Sequence, residues 1–171
     1  MVAFEPGKDA AQGCTFRRAS AEDLPVVHRI VDGALREYGL GLLLESSDVD
    51  LTDVKRHYDE RGGALELIEG ADGAALGVLG WRPAEGGVCE LKKLYLVREA
   101  RGRGLGRLAL ERVVRVARGL GCRALVLETS DLLGEAKRLY TRFGFVPVGG
   151  ADAASFATLS EQCDLAYRLE L

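Results

Sequence analysis

The chain has 171 residues, 47% of them hydrophobic and 29% charged, with a formal net charge of −3. That length buries enough apolar surface for one compact domain to hold together without disulfides or metal ions. The acidic balance argues against a protein that tracks phosphate backbones, and no apolar run approaches the roughly 20 residues of a membrane span, so neither nucleic acid nor membrane is an expected partner.

Residues 1–13 are small and polar without periodicity and are read as a flexible N-terminal tail. They lack the apolar core of a secretion signal, so a cytoplasmic location is expected. Folding starts at Cys14. The run CTFRRA alternates as a strand does and meets Ser20, a helix N-cap followed by Glu22 and Asp23 in the first turn. Leu24, Val27, Val31, Ala34, Leu35 and Tyr38 then recur at helical spacing up to Gly39. A second helix is expected from Ser47-Asp48 to about Arg61, where Gly62-Gly63 stops it.

Three strand-like runs follow, Ala64 to Glu69, Ala74 to Trp81 and Val88 to Val97, separated by Asp72-Gly73 and Gly86-Gly87. Such spacing predicts an antiparallel meander. The pattern then changes. Leu105, Leu108, Ala109, Val113, Val116, Ala117 and Leu120 form one helix face, and ALVLET (Ala124 to Thr129) is a buried strand. Ala136, Leu139, Tyr140 and Phe143 form the face of a last helix, capped by Gly144. Phe145 to Val148 and Asp164 to Leu169 supply two more strands, paired around the connection from Gly149 to Gln162. The order β, α, α, β, β, β, α, β, α, β, β predicts an α/β protein with a mixed sheet flanked by helices.

The stretch VREARGRGLGR (Val97 to Arg107) lies between a strand and an amphipathic helix. Gly102, Gly104 and Gly106 leave the backbone bare at a helix N-terminus, and Arg101, Arg103 and Arg107 add positive charge. Exposed N–H groups at the positive end of a helix dipole suit a phosphate-bearing ligand. Neither a P-loop nor a dinucleotide fingerprint fits, since no GxxxxGK run exists and Arg107 stands where the third glycine of GxGxxG belongs. The run Arg101-x-x-Gly104-x-Gly106, with the preceding CELKKLYLV and the later KRLYTRFGF, resembles the acetyl-coenzyme A signature of the GNAT acetyltransferase superfamily. The resemblance covers about Cys14 to Leu171 and implies that 14–171 is an N-acetyltransferase domain of that fold.

The resemblance implies roles for individual residues. Backbone groups of Leu94, Tyr95, Leu96 and Val97 would pair with the acetyl and pantetheine arm as an added strand. The turn and helix start, Arg101, Gly102, Arg103, Gly104, Leu105, Gly106 and Arg107, would cradle the pyrophosphate, where a branched side chain at Gly104 or Gly106 would obstruct it. Glu90 stands where some relatives carry a general base, with pairing to Lys92 or an arginine as the alternative. Tyr140 stands where the family places a general acid for the departing thiolate, with plain core packing as the alternative. Leu133 occupies the position at which many relatives carry a cofactor-contacting asparagine.

The implied reaction is acetyl transfer from acetyl-coenzyme A to a primary amine of a small metabolite or amino acid, with no metal. A non-catalytic acyl-coenzyme A sensor is the rival reading. A homodimer is common in such folds, although no decisive interface is legible here. The residues outside the motif carry less. Cys14, Cys89, Cys122 and Cys163 show no CxxC spacing and are expected to be free, mostly buried thiols without a metal site. His28 and His57 fall on the first two helices and are expected at the surface. The acidic residues Glu37, Glu45, Asp48, Asp50, Asp53, Asp59 and Glu60 are read as a solvated face, with attraction of a cationic amine as the functional alternative.

Overall fold

A computed structural model describes residues 13–149 and 161–171. The expected tail, Gly13 apart, and most of the Gly149 to Gln162 connection lie outside the described residues. The alternating apolar runs form strands β1 (Cys14–Arg18), β2 (Ala64–Gly70), β3 (Ala75–Ala84), β4 (Val88–Leu96), β5 (Ala124–Thr129), β6 (Val146–Val148) and β7 (Leu165–Glu170). The helices are α1 (Leu24–Arg36), α2 (Val54–His57), α3 (Leu105–Gly119) and α4 (Gly134–Phe143). The element order is the one read from the sequence.

The seven strands make one sheet in the order β1-β2-β3-β4-β5-β7-β6. The pairs β1–β2, β2–β3, β3–β4, β5–β7 and β6–β7 are antiparallel, and β4–β5 is parallel. The sheet is buried on both faces. Val27, Ile30, Val31 and Leu35 of α1 and Val54 of α2 pack with Leu65, Leu67 and Val78 on one face. Leu105, Leu108, Ala109 and Val113 of α3, with Tyr140 of α4, pack with Ile68, Leu79, Leu91, Leu125 and Leu127 on the other.

Local chemistry sets the helix ends. The Ser20 backbone N–H donates to Asp23 Oδ2 at 2.7 Å and its hydroxyl donates to the same atom at 3.0 Å, which fixes the entry to α1. The α1 exit has Gly39 at φ 73 and the Leu40 N–H returned to the Leu35 carbonyl. At the end of α4, Gly144 has φ 114.

The expected second helix is broken. A 3-10 turn, Val49–Leu51, precedes α2, and another, Asp59–Arg61, follows it. Asp53 caps α2 through its side chain, which accepts from the Arg56 N–H at 3.0 Å. Asp48 and Asp50 turn inward to a buried lysine of β4, Lys93. A continuous helix cannot satisfy both demands, because its side-chain directions are fixed by the 3.6-residue period.

Candidate active site

The parallel pairing of β4 with β5 covers Val88–Leu91 against Ala124–Leu127 and goes no further. Beyond it, Lys93–Leu96 of β4 stay with β3, while Glu128 and Thr129 of β5 stay with β7. The two strands splay apart. The gap opens into a cleft of about 540 Å³ that includes Leu94, Leu96, Thr129, Leu133 and Tyr140 among its lining and extends to the Arg101–Arg107 turn.

One irregularity sets what β4 presents to this cleft. Gly80 pairs with Lys93 but Trp81 pairs with Leu91, so Lys92 is an extra residue, a β-bulge. The bulge reverses the alternation. Glu90 and Lys93 therefore lie on the same sheet face, beside Tyr58 and the Asp48–Asp50 segment, although they are three positions apart. Downstream, the Val97 N–H donates to Leu76 of β3 at 2.9 Å. Successive residues point their backbone groups to opposite edges, so Tyr95 and Val97 face β3 while Leu94 and Leu96 face the open edge. The Val97 carbonyl is also taken, by the Ala100 N–H at 3.0 Å. The added-strand expectation for Tyr95 and Val97 thus loses its donors to β3, whereas Leu94 and Leu96 keep their positions on the cleft.

At the end of β4 the chain enters the glycine turn. Gly102 has φ 70 with open space where a Cβ would project, and Gly104 has φ 79 as the N-cap of α3. Gly106 differs: a Cβ there would meet Leu139 Cδ2 of α4 at 2.9 Å. Its smallness serves the approach of α3 to α4, a packing requirement that the sequence did not show, at a residue that also lines the cleft.

The three arginines also differ. Both terminal nitrogens of Arg101 donate to Glu37 at 2.9 Å, and its Nε and one terminal nitrogen donate to the Leu96 carbonyl at 3.2 and 3.1 Å. It locks the turn to the end of α1. This guanidinium holds the Glu37 carboxyl below its usual range. Arg107 donates to Glu111 at 2.9 Å and lies 6.0 Å from the Phe143 ring centroid. Arg103 is exposed and lies outside the cleft lining. What the turn presents to the cleft is thus backbone N–H groups at the α3 N-terminus, with Arg101 and Arg107 at its sides.

Glu90 and Tyr140 both line the cleft. Glu90 is 9% exposed and accepts from Arg82 Nε at 2.9 Å, across the β3–β4 pair. Its partner is an arginine, not Lys92. Tyr140 is buried with its ring 5.7 Å edge-on to Phe145 and 6.2 Å from Tyr167. Burial, with Tyr95 and Cys163 nearby, raises its phenol above the usual range and keeps it protonated. Core packing and a cleft position are thus combined in one residue.

The acidic residues are largely committed to the fold. Lys93 Nζ lies 2.7 Å from Asp48 and 3.1 Å from Asp50, and the Tyr58 hydroxyl donates to Asp50. Burial opposes the charge on Lys93, but Asp50 and Asp48 outweigh it and the ammonium is held above its usual pKa. Asp59 pairs with Arg18 and Asp53 caps α2, so of the expected cluster Asp48 alone reaches the cleft. His28 places Nε2 2.7 Å from the Leu51 carbonyl, and neither His28 nor His57 lines the cleft. Cys89 is fully buried, and burial pushes its thiol up to about 12, which disqualifies it as a nucleophile. All four cysteines are free thiols; Cys14 and Cys89 are buried, and Cys163 lines the cleft. Among the described residues no cluster of His, Cys, Asp and Glu could hold a metal ion, and no helix is long and apolar enough to cross a membrane.

Sequence reading named Lys92 only as a partner for Glu90, left Arg82 as an unspecified arginine and missed Lys93. Arg82 meets Glu90 as its cross-strand neighbour on β3, Lys93 meets Asp48 and Asp50 from far along the chain, and no local pattern marks the bulge at Lys92.

Residues 30–145 match the acetyltransferase (GNAT) family. An uncharacterised N-acetyltransferase of Schizosaccharomyces pombe is 35% identical over 125 residues, 72% of this chain and 77% of that protein. The uncharacterised N-acetyltransferase YjgM of Escherichia coli is 30% identical over 169 residues, 95% of this chain and 98% of its own. Among solved structures, a GNAT-family acetyltransferase of Staphylococcus aureus has a TM-score of 0.82 at 19% identity, covering 92% of this chain and 99% of its own, a likeness of fold.

Proposed function

The chain belongs to the GNAT family of N-acetyltransferases, and on that premise we propose that it moves an acetyl group from acetyl-coenzyme A to the primary amine of a small metabolite or amino acid by direct attack. The observation that carries this reading is the continuity of one cleft. It joins the β4 edge at Leu94 and Leu96, where no strand is paired and Arg101 holds the Leu96 carbonyl, to the glycine turn at the start of α3 and the side chains of Glu90 and Tyr140. An extended ligand with a pyrophosphate at one end fits such a bench. Its arm pairs with the Leu94 backbone and the Leu96 N–H on that edge, and its phosphates take N–H groups that the αL glycines and the α3 N-terminus leave without an intrahelical partner.

The chemistry follows from the groups present. The amine nitrogen attacks the thioester carbonyl carbon; the C–N bond forms as the C–S bond breaks, giving an amide and a thiolate. An alkyl ammonium has a pKa of about 10, so a proton must leave before attack. Glu90, a carboxylate on the cleft wall with Arg82 on one oxygen, receives that proton directly or through a water. Tyr140, kept protonated by burial, supplies a proton to the thiolate. Leu133, in place of an amide side chain, contributes apolar contact alone.

Calorimetric titration with acetyl-coenzyme A tests the reading. Saturable binding is expected for the native protein and at least a tenfold weaker affinity for Gly104→Val, since φ 79 admits no branched residue without strain. Titration with longer acyl-coenzyme A esters assigns the donor. Native protein that binds none of them overturns the reading.

A further inference from the structure

A second cavity, of about 710 Å³, is lined by Arg61, Arg82, Glu85, Glu90, Lys92 and Glu128, with Pro83 and Ala84. It shares Glu90, Lys92 and Glu128 with the cleft, so the two spaces meet at the proposed base. Glu90 and Lys92 flank the place where β4 leaves β5, and the bulge is what sets Lys92 there.

The charges at this junction are unevenly committed. Arg82 gives its Nε to Glu90, while its terminal nitrogens have no hydrogen bond to a described residue. The side chains of Lys92 and Arg61 likewise have no hydrogen bond or ion pair with any described residue. Lys92 is half-buried, so its charge lacks the full solvation of a surface lysine. Of the carboxylates, Glu90 is held by Arg82, Glu128 is engaged within the fold, and Glu85 stands exposed at the outer rim, where solvent screens it. Cationic donors thus surround the approach to one carboxylate.

From this we infer that the acceptor is a small amine that itself carries a carboxylate, its amine directed to Glu90 and its carboxylate to Lys92, with Arg82 and Arg61 beyond. A carboxylate there supplies a charge-assisted partner to a cation that has none among the described residues. A polyamine would place a second positive charge against Lys92 and is disfavoured. The inference rests on the acyl-transfer reading and narrows its acceptor.

The test is steady-state acetylation of amino acids compared with their own carboxamides and decarboxylated amines, with acetyl-coenzyme A as donor. The acid is expected to exceed its amide in kcat/KM by about tenfold or more, mainly through KM, as one hydrogen bond to a charged group implies. Amide formation lowers the amine pKa and so favours the amide intrinsically; a preference for the acid has to come from the site. Lys92→Met should bring the ratio close to one, and Lys92→Arg should retain most of it. Amides or decarboxylated amines used as well as the acids would overturn the inference and leave acyl transfer standing. Acetyl-coenzyme A that binds calorimetrically while no carboxylate-bearing amine is turned over also overturns it. Failure of the native protein to bind the donor removes instead the reading beneath it.

Discussion

Gly104 and Gly106 sit two positions apart, yet the fold requires each to be glycine for a different reason. The first adopts a left-handed backbone at the mouth of α3; the second leaves room for Leu139. The spacing of these glycines was legible in the sequence as a bare turn, but which of them faces a ligand was not, because that depends on where α4 packs. Glu90 and Tyr140 were legible as candidates through the resemblance alone. An arginine partner for Glu90 was among the alternatives and proves to be Arg82, whereas the commitment of Arg101 to Glu37 was hidden, since its partner lies on another element. Tyr140→Phe keeps the ring contacts to Phe145 and Tyr167 and removes the proton. Turnover should fall by about 100-fold or more, with acetyl-coenzyme A affinity little changed. Burial raises the native phenol above its ordinary value near 10, so kcat should show no alkaline limb from this group below about pH 10. A pH–rate profile for the native enzyme and for Tyr140→Phe checks both statements.

Among the elements, periodicity located every strand to within about three residues, because alternation and glycine turns are local signals. It failed between Ser47 and Arg61, where Asp48 and Asp50 answer to Lys93 rather than to their neighbours in sequence. The same kind of long-range demand joins α3 to β2. Arg112 Nε and one terminal nitrogen donate to Glu66 at 2.8 and 2.7 Å, both residues are buried, and the guanidinium lies 4.8 Å from the Phe16 ring centroid. Truncating one partner of such a pair leaves the other charge stranded. Arg112→Met is expected to lower unfolding stability by about 3–5 kcal/mol, and the double variant Arg112→Met with Glu66→Met should recover much of that loss. Urea denaturation of the native protein, both single variants and the double variant measures the coupling. A double variant less stable than either single one would show that the losses accumulate and that a stranded charge is not their cause.

Across the molecule, the sheet joins a meander, β2 to β4, to the strands that follow the signature turn, and the parallel contact between them is short. Its ending leaves strand edge exposed to the cleft while both faces stay covered by helices. Hydrogen exchange should detect a ligand on that edge directly. Added acetyl-coenzyme A is expected to slow exchange at Leu94 and Leu96 and in the turn at 102–106. Val97, already bonded to Leu76, should stay protected with or without it. Protection gained equally at all four residues from Leu94 to Val97 would contradict the assignment of edges. The alternation around Lys92 has a consequence in genetic terms. The bulge is an insertion the ladder has already absorbed: an in-frame deletion of that single codon would set Lys93 directly after Leu91, the two still opposite Gly80 and Trp81, and would keep the backbone groups offered at the two edges. Loss of that codon therefore separates the two contributions of position 92, the side chain it sends to the cleft and the length it adds to β4, and lineages without it should keep the cleft edge at Leu94 and Leu96.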